Sequence, residues 1–187
     1  MRKIILASAS PRRAEIMRLS GFSFDVDVSD FVEDMAEKLP PKILAEKLAL
    51  GKALAVAPRH SDALIIGADT FVVAGDQILG KPHTKENAVA MLSLLSGGTH
   101  TVITGYAIVD TDSGARHVDA SVTEVTFRTL SDREIVAYVE TGEPLELAGG
   151  YAIQGGAARF ATRIEGDYYG VMGLPLAPIV EELQKWA

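Results

Sequence analysis

Hydrophobic and polar positions along the chain switch repeatedly between a period of two and a period near 3.6, the marks of strands and of amphipathic helices. Lys3 to Ala7, apolar from Ile4 on, predicts a buried strand. Ser10 can cap a helix and Pro11 fits its first turn, so a helix is predicted over residues 12–20, stopped at Gly21. "FSFDVDV" alternates strictly and predicts a half-buried strand with Phe22, Phe24, Val26 and Val28 on one face. A polar loop carrying Glu33 leads into a long helix after Pro41, with Leu44 and Leu48 inward, ending before Pro58.

"ALIIGADTFVVAGDQILGKP" predicts a buried strand, a turn bearing functional residues, and a hairpin turning at Gly75-Asp76. Thr84 caps a helix whose apolar face is Ala88, Met91, Leu92 and Leu95, and Gly97-Gly98 ends it. Extended segments follow at residues 100–110 and 115–128. Ser131 and Glu134 then form a capping box for a helix ending at Gly142. Residues 149–158 are glycine-rich and irregular, and Pro175 opens a last helix that ends near Trp186. No internal repeat, low-complexity tract or linker is visible. Helices and strands alternate without a strict βαβ rhythm, which predicts an α/β protein with a mixed sheet.

Composition narrows the class. At 187 residues, 48% of them hydrophobic, the chain suits one domain or two small lobes with a sizeable core. A formal charge of −7 argues against a nucleic acid polymer as partner, but not against a local basic pocket for a small anion. The absence of cysteine removes disulfides and thiolate metal sites. No apolar run approaches the ~20 residues of a membrane span, and the patch in "MRKIILASAS" is shorter than an export signal needs. A cytoplasmic protein without membrane attachment is expected.

Several residues carry candidate chemistry. Arg12 and Arg13 stand at a predicted helix start, where the dipole disfavours cations but free N–H groups favour anions. With the hydroxyls of Ser8 and Ser10 the pair reads as a phosphate cradle; a solvated helix start is the plainer alternative. Asp69 follows the apolar "ALIIGA" and is placed at the end of a buried strand, where ligands of open α/β sheets bind. A carboxylate there needs a partner or a task, although an Asx turn would also account for it. Glu33 lies in an acidic loop and reads equally as solvated, and Lys52 as a helix lysine with its stem on apolar surface. "GDQILGKP" fits seven positions of a phosphate-binding P-loop, but Pro82 replaces the metal-binding Ser or Thr and disfavours helix at Lys81. Lys81 keeps its interest as a cation fixed between Gly80 and Pro82. Gln154, in "GGYAIQGGAARF", has glycine neighbours that permit close backbone approach to a ligand and an amide able to read a base edge. The four histidines are scattered without ligand spacing.

"LASASPRR", "GADT", "GKP", "AGGYAIQG" and "GLPL" occur in the order seen in Maf-like proteins, which are nucleoside triphosphate pyrophosphatases, and the chain resembles that family from Ile4 to about Leu183. The resemblance implies a single Maf/ITPase-like domain over residues 1–187. Its elongated mixed sheet would be flanked by helices in two lobes, with the active-site cleft between them. It implies hydrolysis of a small-molecule nucleoside triphosphate to the monophosphate and pyrophosphate with Mg²⁺ or Mn²⁺, and a homodimer. The family's proton acceptor matches Asp69. Residues needed for activity match Ser8, Arg13, Glu33, Lys52 and Lys81, and specificity positions match Arg12, Thr70 and Gln154. Those three resemble the branch acting on dTTP and UTP rather than on 7-methyl-GTP. Asp167 and Gly170 depart from the Ser and Asn expected in many relatives, a change that bears on metal binding or the cleft rim.

Water would attack the α-phosphorus with Asp69 as general base. Glu33 and Asp69 would hold the metal, Arg13, Lys52 and Lys81 would neutralise phosphate charge, and Thr70 and Gln154 would read the pyrimidine. The house-cleaning hydrolysis of dTTP and UTP, or of modified pyrimidine nucleotides, that this implies has an alternative: a nucleotide-binding regulator of cell division with little turnover. A subunit of purely structural role, with every charge at the surface, is a third reading.

Overall fold

The computed structural model describes residues 2–34 and 37–186. The strands are β1 (Lys3–Leu6), β2 (Asp25–Val26), β3 (Ala63–Ala74), β4 (Gln77–Leu79), β5 (Thr99–Asp110), β6 (Arg116–Phe127) and β7 (Ala161–Glu165). They join in one mixed sheet of order β2-β1-β3-β5-β6-β7, with β4 paired to β3. β1 runs parallel to both β2 and β3, whereas β3–β4 and β6–β7 are antiparallel. The helices are α1 (Pro11–Arg18), α2 (Pro41–Val56), α3 (Lys85–Leu95), α4 (Asp132–Val139), α5 (Tyr168–Met172) and α6 (Leu176–Trp186). None is long and apolar enough to cross a membrane, among the described residues.

The chain divides into two compact units. One comprises Met1–Asp69, Thr104–Ser121 and Gly173–Ala187, and the other Thr70–Ile103 and Val122–Met172. In the first, Ile5, Ile65, Ala107 and Val109 of the sheet pack with Ala49, Ala53 and Val56 of α2. α2 lies unusually close to its strands, because they present glycine to it. A Cβ on Gly67 would overlap the Ala49 carbonyl and stand 2.8 Å from Ala53 N. One on Gly105 would overlap the Ala45 carbonyl and stand 2.7 Å from Glu46 N. Ala45, Ala49 and Ala53, four residues apart, give the helix a matching smooth face, and all three are buried. The second unit has an aromatic core in which Phe127, Tyr138, Tyr151 and Phe160 meet edge to face.

The local signals for helix starts are realised. Ser10, Thr84 and Ser131 cap α1, α3 and α4, and the Ser131–Glu134 box is reciprocal. Two expectations are corrected. "FSFDVDV" yields only the two-residue β2, with Val26 and Val28 half exposed. β2 is the edge of the sheet and has β1 alone as neighbour, while Asp27 turns aside to Arg59 and His60. The expected turn within "ALIIGADTFVVA" is absent: β3 is continuous for twelve residues, so Asp69 is mid-strand. The β-branched and aromatic residues after Thr70 continue the buried strand.

Candidate functional site

β1 pairs with β3 in parallel only as far as Leu6 opposite Ile66, and β3 runs on for eight residues. Asp69 therefore sits just beyond the carboxyl end of β1, where the chain leaves the sheet through Ser8 to enter α1. The strand end next to Asp69 is thus that of β1, not of β3.

Two helices, a strand and a loop bring four charges together here. From α2, the Lys52 ammonium donates to Asp69 Oδ1 at 2.5 Å and lies 2.6 Å from Glu33 Oε1. Asp69 and Lys52 are largely buried, with side chains 7% and 12% exposed, and Glu33 faces solvent at 43%. The close seating of α2 on Gly67 is what lets Lys52, one residue before Ala53, reach a carboxylate two residues past that glycine. From α1, Arg13 is fixed at both edges of its guanidinium: Nε donates to the Gly173 carbonyl at 2.7 Å and Nη1 to the buried Ser8 hydroxyl at 3.3 Å. Ser8 Oγ also accepts from Ser10 N, and Ser10 Oγ accepts from Arg13 N, so both serines shape the turn.

The electrostatics follow from burial. Loss of water pushes the Asp69 carboxyl above its ordinary range, against the pull of Lys52 and Arg13. Burial likewise lowers Arg13, against the attraction of Asp69 and Glu33. A carboxylate made more basic than usual, with an ammonium on one oxygen and a second cation nearby, can accept a proton next to a bound anion.

The structure thus brings together Ser8, Ser10, Arg13, Glu33, Lys52 and Asp69 in the first unit. Arg12 is half-buried in the first turn of α1. Thr70, Lys81 and Gln154 belong to the second unit. Thr70 follows Asp69 on β3 and is half-buried. Lys81 is about half exposed, 3.5 Å from Glu146 Oε2, and its segment is held where Gly149 N donates to the Gly80 carbonyl. Gln154 is exposed. Its glycine neighbours Gly155 and Gly156 make room for the Glu143 carboxylate, which accepts from Gly156 N. Asp167 is tied through its backbone to the Thr123 hydroxyl at the start of α5. Sequence reasoning missed Gly51, Gly67 and Gly105, which set the distance of closest approach to α2; glycines inside apolar periodic runs were the available signal.

Fold and site together define an α/β protein with a paired, buried acid next to a lysine and an arginine. A sequence profile of the Maf-like protein family matches residues 3–186, and the chain belongs to that family. It is 50% identical to the dTTP/UTP pyrophosphatase of Desulforamulus reducens over 98% of this chain and 96% of that one. It is 49% identical to the dTTP/UTP pyrophosphatase of Moorella thermoacetica, over 98% and 94%. In fold it is similar to the Ham1 protein of Staphylococcus aureus, with a TM-score of 0.57, 12% identity and full coverage of both chains.

Proposed function

We propose that this protein hydrolyses dTTP and UTP, or modified pyrimidine nucleotides of the same kind, to the nucleoside monophosphate and pyrophosphate. The relatives that carry this activity in their names match nearly the whole chain at about half of all positions. The observation that carries the reading is Asp69: a buried carboxylate of raised basicity, held by Lys52, with Arg13 fixed beside it.

In this reading Asp69 takes the proton from a water that attacks the α-phosphorus. The bond between that phosphorus and the bridging oxygen breaks, and pyrophosphate leaves with the bridging oxygen. Lys52 keeps Asp69 oriented. Arg13 and Lys81 offset charge on the phosphates, and the hydroxyls of Ser8 and Ser10 complete the cradle. Arg12, Thr70 and Gln154 contact the base and sugar side and set the pyrimidine preference.

Among the described residues no group of three or more His, Asp or Glu stands ready to hold a cation. Asp69 and Glu33, joined through one ammonium, instead offer two carboxylates, the donor set with which Mg²⁺ is held when phosphates supply the remaining oxygens. The residues therefore fit Mg²⁺ or Mn²⁺ arriving with the nucleotide, held by Glu33 and Asp69. When bound, such an ion neutralises phosphate charge and polarises the phosphorus–oxygen bonds. A homodimer and a cytoplasmic location, where these nucleotides are made and used, belong to the same proposal.

The test is pyrophosphate release from a panel of triphosphates with and without Mg²⁺ or Mn²⁺. Metal-dependent release fastest with dTTP and UTP is expected. Nucleotide-induced thermal stabilisation without release from any of them would replace hydrolysis by nucleotide sensing.

A further inference from the structure

Glu33 is the outlying member of the charged cluster: it lies on a loop between β2 and α2, yet its carboxylate is 2.6 Å from the Lys52 ammonium. Something must hold that loop against α2. Two residues before Glu33, the Phe31 ring rests in the notch left by Gly51, the residue next to Lys52. A Cβ on Gly51 would overlap the end of that ring, 2.5 Å from Cε2 and 2.8 Å from Cε1. The loop is anchored a second time upstream. Arg59, just past α2, donates to Asp27 Oδ1 at 3.0 Å and to the Val28 carbonyl at 3.1 Å, and its other terminal nitrogen lies 2.9 Å from Asp30 Oδ1. His60 Nε2 is 2.8 Å from Asp27 Oδ2. Ser29 Oγ accepts from Phe31 N at 3.1 Å and turns the chain toward the notch. Neighbouring Val32 is almost fully exposed, so among the described residues next to Glu33 the ring of Phe31 is the apolar contact that fastens the loop.

We infer that Phe31 and Gly51 are positioning residues for the reaction: the ring docked in the glycine notch sets Glu33 on Lys52, and through Lys52 orients Asp69. The inference rests on the hydrolytic reading above for its consequence in catalysis, but the docking itself can be read without turnover. It also explains a glycine in the interior of a sixteen-residue helix, where alanine would favour the helix.

The test is Gly51→Ala, with Phe31→Ala and Glu33→Gln for comparison. The three atoms nearest to the new methyl all belong to the movable end of the Phe31 ring, so the ring is displaced while α2 gains helix propensity. Expected are an unchanged or raised Tm, faster amide hydrogen exchange over residues 29–34, and kcat for dTTP lower by between about 10- and 100-fold, as for a reacting group moved by about 1 Å. Phe31→Ala should give the same exchange and kcat. Gly51→Ala should cost nothing further in the Glu33→Gln background. Retained kcat in Gly51→Ala, or an equal loss with Glu33→Gln already present, would overturn the inference, since the notch would then not act through Glu33. If the wild type releases no pyrophosphate from any triphosphate, the hydrolytic reading fails instead, and exchange alone decides the docking: unchanged protection overturns it, and lost protection in both variants upholds it.

Discussion

Replacing Lys52 by methionine probes the energetics of the cluster. Methionine keeps most of the unbranched apolar stem, one atom shorter than lysine, but removes the charge that Asp69 contacts at 2.5 Å. Both side chains are nearly buried, at 12% and 7% exposure, so the Asp69 charge would be left without its partner in a place water scarcely reaches. Breaking one side of a buried pair costs about 3–5 kcal/mol. Arg13, whose charge also favours the ionised form of Asp69, holds the loss near the low end. Glu33, nearly half exposed, adds at most about 1 kcal/mol. The cost also depends on pH. Asp69 already titrates above its unfolded value, so its contribution to stability is greatest below about pH 3.8 and is lost as pH rises through its folded pKa. Without Lys52 that folded value moves further up, so the loss is larger at high pH than at low pH. Urea unfolding of wild type, Lys52→Met and Lys52→Met/Asp69→Asn at pH 5 and pH 8 reads this. The single variant should be less stable by about 3 kcal/mol at pH 8 and by less at pH 5. The double variant should recover most of the loss and show no such dependence on pH. A single variant within about 0.5 kcal/mol of wild type at pH 8, or a double variant no more stable than the single, would refute the buried-pair reasoning.

Two further predictions concern the packing of each unit. Gly105→Ala should destabilise by about 1–3 kcal/mol or more, because its Cβ meets the backbone of α2 at Ala45 and Glu46, which cannot swing aside as a side chain would; unfolding at wild-type stability would show that α2 seats elsewhere. His100 is buried, with Nε2 2.8 Å from the Tyr151 hydroxyl and no partner for Nδ1 among the described residues, and burial pushes it down to about 4 from an ordinary value of 6.5. The unfolded chain therefore takes the proton first. This histidine should remove about 3 kcal/mol of stability as pH falls from 6.5 to 4. The stability of His100→Phe should lack that part of the decline, and parallel pH curves for the two proteins would contradict it.

What the sequence disclosed and what it hid divide by range. Caps act over three residues, so Ser10, Thr84 and the Ser131–Glu134 box were legible and are realised. Alternation was legible too, but it reports faces and not partners: "FSFDVDV" alternates as a strand should, yet as an edge segment with one neighbour it pairs for two residues only. Asp69 stood out as a carboxylate after an apolar run, and the cluster around it is real. Its position within the strand was misjudged, because the end that matters belongs to β1, a different segment. Lys52 read locally as an ordinary helix lysine. Its partner is 17 residues away, brought within reach by Gly67, and no local period encodes that contact. The same holds for Arg13, which looked like an anion-binding cation and is aimed by a carbonyl 160 residues further along.

The central claim, that Asp69 is the proton acceptor of a nucleotide hydrolysis, is tested most directly by Asp69→Asn. Pyrophosphate release from dTTP and UTP should be compared with nucleotide-induced thermal stabilisation in the same preparations, with Mg²⁺ or Mn²⁺ present. The account predicts that turnover is lost while the nucleotide still raises the Tm. Asp69→Asn with near wild-type release, or with release and binding lost together in a folded protein, would contradict the assignment.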